Sequence, residues 1–138
     1  MFALALRVLT AAAVIASAVV HLQVWFAGFR TIPVIGPLFL LNVIGGFAIG
    51  LAVLAWRHWL PLLASVGFGV ATLAAFVVSA TVGLFGVHET WTGTAQVLGE
   101  VTEVVAVVAG LAAIAVLSGR RGASRPWVTV ERRHRPAG

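Results

Sequence analysis

Apolar residues run along this chain in four long stretches, at about 3–26, 37–56, 60–86 and 94–117, each broken only by isolated polar side chains. An α-helix needs about 20 apolar residues to cross the hydrocarbon core of a bilayer, and each stretch is long enough. The segments between them are short and carry Pro, Gly and Trp. "FRTIPVIGP" at 29–37 holds two prolines and a glycine. Pro37 and Pro61 suit the first turns of the second and third spans, where a missing N–H costs nothing. The pattern predicts an all-α fold, an integral membrane four-helix bundle without a soluble domain. "ASA" at 16–18 resembles a leader cleavage site. The apolar run continues past it to Phe26 and no basic segment precedes it, so the first stretch is read as a retained span.

Within each stretch the polar and small residues recur three or four apart, the spacing that places them on one helical face. The first span carries Arg7, Thr10, Ser17, His21 and Trp25. The third carries Ser65, Gly69, Thr72, Ser79 and Gly83, and the fourth Gln96, Glu100, Glu103 and Gly110. In the second, Asn42 leads towards Gly45, Gly46 and Gly50. Such faces should turn inward, because unpaired polar groups in hydrocarbon are costly. The G-x-x-x-G of Gly46 and Gly50 permits close helix approach, either inside the bundle or in a homodimer.

Charge sets the expected orientation. Arg7, Arg57, Arg120, Arg121, Arg125 and the three arginines at 132–135 fall on one side of a four-span drawing, and only Arg30 on the other. Arginine-rich flanks stay inside, so both termini are expected in the cytoplasm, with 27–36 and 87–93 facing outward. Trp25 and Trp91 then mark the outer interface, Trp56 and Trp59 the inner one. The net charge of +5 comes from these flanks and from a basic tail over 120–138, expected to be disordered. That tail has no aromatic interleaving apart from Trp127, so nucleic acid is not an expected partner. With 61% hydrophobic and 9% charged residues, the composition belongs to the membrane class. All nine basic residues are Arg and none is Lys, a bias that points to a GC-rich bacterial genome and hence to a bacterial plasma membrane.

Depth then matters. At about 1.5 Å per residue, His21 lies roughly 8 Å below the outer end of its helix and Asn42 about as deep. By the same rise Glu100 is about 9 Å in and Glu103 about 14 Å. The chain has only four acidic side chains, and these two share one face of an apolar helix. Both are not expected to ionise there. Glu100, the shallower, is the candidate for the charged form, with His21 or Arg30 as its counter-charge; Glu103 is the candidate for a neutral hydrogen-bonding form. His21, Asn42, Glu100 and Glu103, with Trp25, Gln96 and Arg30, are therefore the candidate ligand-binding residues, lining a cavity in the outer half of the bundle.

The residue inventory narrows the chemistry. There is no Cys and no Asp, which excludes disulfides, thiolate ligands and a Ser-His-Asp triad. No Gly-rich phosphate loop is present. Haem is not expected, because His88 stands at the loop and His58 at the opposite side from His21. A metal is not expected either, since the Glu-x-x-His pairs of bundle metal sites are missing. "HET" at 88–90 is read as a solvated loop segment. What suits the remaining groups is a small apolar molecule with polar ends, such as a quinone or lipid.

The run "HLQVWFAGFRTIPVIGPLFLLNVIGG" at 21–46, "GLFG" at 83–86 and the glutamates of the last helix resemble small four-helix membrane proteins of high-GC Gram-positive bacteria. They resemble the DoxX-like group more loosely. The resemblance implies an accessory role beside membrane redox and quinone-linked complexes. Two rivals stand beside ligand binding: a structural subunit whose polar groups only fasten helices or a partner in a membrane complex, and a proton-coupled small-molecule transporter.

Overall fold

The computed structural model describes residues 1–123, with side chains to Gly119. Four helices fill it: α1 (Phe2–Ala27), α2 (Ile35–Ala55), α3 (Leu60–Thr81) and α4 (Thr94–Ala123), with a 3-10 turn at Phe29–Thr31. Each is long and apolar enough to cross a membrane, so the chain is a multi-pass, all-α four-helix bundle. Of the basic tail expected over 120–138, residues 120–123 continue α4, and those from 124 onward lie outside the described residues.

Local chemistry explains where the helices stop. α1 is free of Pro and Gly until Gly28, which takes φ 150 and turns the chain away. α2 ends where Trp56 becomes extended, and α3 opens with Pro61 in its first turn. The ring Nδ1 of His58 accepts the Leu60 backbone N–H at 3.2 Å, satisfying one of the donors that a helix start leaves free. The third helix stops at Thr81, short of the 86 expected from hydropathy. Gly83 adopts φ 85 there, and its N–H bonds the Val78 carbonyl at 3.0 Å. Apolar residues continue past this point, but a left-handed glycine ends the helix regardless of them.

The helices pack through small residues. α1 lies against both α2 and α4, α3 lies mainly against α4, and of the four neighbouring pairs around the bundle α2 and α3 touch least. A side chain at Gly46 would run into Ala18 and Phe68, and one at Gly50 into Ile15. Gly46 and Gly50 are thus buried against α1, and the homodimer through that face, open from sequence, finds it already occupied within the chain. Gly69 and Gly110 bring α3 and α4 together in the same way. Ala11, Val14, Ala18, Val53, Leu62 and Ala106 form the buried core. Leu41, Leu51, Leu63, Val70, Val108 and Leu111 face outward. That surface would be a liability in water and is what lipid requires.

Arg7 is the buried polar anchor at the terminal end of the bundle. Its guanidinium donates to the carbonyls of Val53 at 2.6 Å, Trp56 at 2.6 Å and His58 at 3.2 Å. These oxygens close α2, where the helix dipole is negative and carbonyls lack helical partners. A cation on α1 therefore caps α2.

Two outcomes test this packing. Replacing Arg7 with Met, which leaves those carbonyls unpaired, is expected to destabilise the bundle by about 2–4 kcal/mol in detergent unfolding, whereas Arg57→Met at an exposed site should stay within about 0.5 kcal/mol. Gly69→Ala would place a Cβ 2.9 Å from the Glu103 carbonyl and should cost about 1–3 kcal/mol, while Gly67→Ala, which meets nothing within 4 Å, should be near neutral.

Candidate functional site

The thin α2–α3 contact leaves a gap at the end of the bundle that carries the loops 28–34 and 82–93. It is a cavity of about 440 Å³ whose wall is mainly apolar. Phe29, Phe39, Phe68 and Phe76 supply much of that wall, and Gly45 opens it, because nothing lies within 4 Å of where its Cβ would be. Cavities of this size suit small organic ligands.

Five of the seven residues singled out from sequence line the cavity: His21, Asn42, Gln96, Glu100 and Glu103. α1 brings the first, α2 the second and α4 the other three. Trp25 and Arg30 are not part of the wall. Trp25 instead donates its indole N–H to the Gly36 carbonyl at 3.0 Å, tying α1 to the start of α2. Arg30 lies exposed in the 3-10 turn, so no guanidinium faces the carboxyl groups from there.

Glu103 sits deepest, 2% exposed. The Ser17 hydroxyl donates to its Oε1 at 3.2 Å. His21 stands beside it with Nε2 3.9 Å from the same oxygen, beyond hydrogen-bond range but close for a charge contact. The Nδ1 of His21 donates to the Ser17 carbonyl at 2.9 Å, because a carbonyl can only accept. That bond keeps the proton on Nδ1 and turns Nε2 towards the carboxyl group. Ser17, His21 and Glu103 thus join α1 to α4.

Asn42 is oriented by a similar exclusion. Thr72 spends its single hydroxyl hydrogen on the Phe68 carbonyl at 2.8 Å, so its oxygen can only accept from Asn42, at 3.0 Å. The amide nitrogen of Asn42 therefore faces Thr72 and the amide oxygen faces away. That Oδ1 and Glu100 Oε1 are buried without a hydrogen-bond partner among the described residues.

The wall also holds residues that sequence reading did not place there: Thr72, Ser79 and Glu89. Glu89 is not a freely solvated loop side chain. Phe85 and Gly86 both take positive φ, at 49 and 82, and reverse the chain so that Leu84 and Val87 pair backbone to backbone at 2.8 and 3.0 Å. Ser79 clamps this turn, donating to the Val87 carbonyl at 2.9 Å and accepting the Glu89 N–H at 3.3 Å. The loop is folded back across the cavity, and Gln96 Nε2 donates to Glu89 Oε2 at 3.1 Å. The available signal was local: a serine at the end of α3 and "GLFG" ahead of the glutamate.

Among the described residues, no cluster of three or more His, Cys, Asp or Glu is placed to hold a metal ion. Fold and cavity define a small multi-pass membrane protein with a polar-ended apolar pocket. No protein-family model matches the chain, and no curated protein or solved structure matches it either.

Ser17→Ala removes the donor on the most buried carboxyl group and should lower stability by about 1–2 kcal/mol in detergent unfolding, without the larger loss expected from breaking the helix packing itself.

Proposed function

We propose that this protein is a small-molecule binding protein of a bacterial plasma membrane, accessory to a membrane complex, with both termini in the cytoplasm and its cavity in the outer half of the bundle. The ligand has an apolar body and a polar head, the general form of lipids and quinones. The cavity carries this reading: about 440 Å³ bounded largely by aromatic and aliphatic side chains, with its polar groups converging from four helices and a loop. The arginine bias at the terminal end supports the orientation.

The fastening role has its own support at one point, since Ser17 and Glu103 link α1 to α4. Glu100 is different. Its Oε1 bonds to nothing among the described residues, and an ionisable group left idle in a membrane helix is a poor fastener and a natural ligand contact.

The test is mass spectrometry of small molecules that copurify with gently solubilised protein. Wild type should carry one defined compound in stoichiometric amount. Gly45→Leu, which grows into the cavity where nothing opposes it, should lose that compound and keep its unfolding temperature. Equal content in both proteins, or loss of stability from Glu100→Gln with ligand content unchanged, would leave fastening as the role of these groups.

A further inference from the structure

From the hydrogen-bonding atoms that the cavity leaves free, we infer that its ligand presents a hydrogen-bond-donating cation, an ammonium group on an apolar body, to Glu100 and Asn42. This inference rests on the binding reading above and specifies the ligand's head.

Two side-chain atoms are buried without a partner among the described residues, Asn42 Oδ1 and Glu100 Oε1, and both belong to residues of the cavity wall. Asn42 Oδ1 accepts only, and the Thr72–Phe68 bond prevents the amide from turning its nitrogen into the cavity instead. A buried acceptor left unmade is costly, so the complement has to bring a donor. A quinone, whose polar ends are both carbonyl oxygens, brings none.

Charge selects among donors. Three carboxyl side chains line the cavity, Glu89, Glu100 and Glu103, against one basic side chain, His21. Within the wall His21 is bonded to the Ser17 carbonyl and turns its Nε2 towards Glu103 at 3.9 Å, and Gln96 is engaged with Glu89. Arg30, the nearest arginine in sequence, is exposed and off the wall. Among the described residues no basic side chain pairs with Glu100. A neutral hydroxyl brings a single donor for two open atoms, while an ammonium supplies several N–H donors and a positive charge beside three carboxyl side chains. Phe29, Phe39, Phe68 and Phe76 around the same space are suited both to an apolar body and to a cation near an aromatic face.

Three probes of similar bulk separate the alternatives in nanodiscs of phosphatidylcholine and phosphatidylglycerol at neutral pH. 1-Naphthylmethylamine carries a cationic donor, 1-naphthylmethanol a neutral donor, and menadione only acceptors. Binding to the purified full chain, measured by equilibrium dialysis against empty nanodiscs, should be tightest for the amine and weakest for menadione. Glu100→Gln keeps the side chain's size and should weaken the amine about tenfold or more, while changing the alcohol by less than about threefold. Menadione binding tightest, or an amine insensitive to Glu100→Gln, overturns the ammonium head and leaves the binding cavity standing. Failure of all three probes to bind above empty nanodiscs overturns both. Adding phosphatidylethanolamine to the discs locates the source of the ammonium: displacement of the amine marks a lipid headgroup, and undiminished amine binding marks a free amine.

Discussion

Inside hydrocarbon a polar atom has no water to bond, so it must find its partner within the protein, and this bundle is arranged around that requirement. Hydroxyls meet it locally: Thr10, Thr72 and Thr102 each return their hydrogen to the carbonyl one turn back on their own helix. The ionisable groups cannot. Arg7 reaches across to the last carbonyls of α2, and Glu103 reaches across to Ser17. These two crossings hold α1 to α2 at one level and α1 to α4 at another, which makes α1 the helix against which the others are set. The glycines then decide how close the helices come, since Gly46, Gly50, Gly69 and Gly110 all stand where a side chain would collide.

The same requirement separates two glutamates three residues apart. Glu103 faces Ser17 and His21 and takes part in joining helices. Glu100, one turn nearer the loops, faces the space where α2 and α3 part, and its Oε1 has no partner among the described residues. Among the described residues the buried side-chain polar atoms left open are Asn42 Oδ1 and Glu100 Oε1, and both residues line this cavity. Functional sites are where such exceptions are expected to concentrate.

Much of this was legible in the sequence because helical periodicity and hydrophobicity are local properties. Arg7, Thr10, Ser17, Ser65, Ser79 and Glu103 are buried, as their spacing indicated, and the four apolar runs are four helices. The parts that were not legible depend on contacts distant in sequence or on backbone conformation. Hydropathy carries α3 through Val82 and Leu84, but φ at Gly83 stops it. The partners of Arg7 are backbone oxygens some fifty residues away, to which side-chain patterns are blind. Glu89 looked solvated because the sequence does not display the Ser79 clamp that folds its loop over the cavity. Conversely, Arg30 carried a charge of the right sign at the right end of the bundle, yet the 3-10 turn at Phe29–Thr31 holds it outside the wall.

The most direct measurement of the account's central claim is a crystal structure of the full chain grown from a lipid mesophase, without added ligand. The account predicts continuous non-protein density between α2 and α3, ending within hydrogen-bond distance of Glu100 and Asn42. A cavity closed by the approach of α2 to α3, with Glu100 and Asn42 bonded to each other or to neighbouring helices, would contradict it.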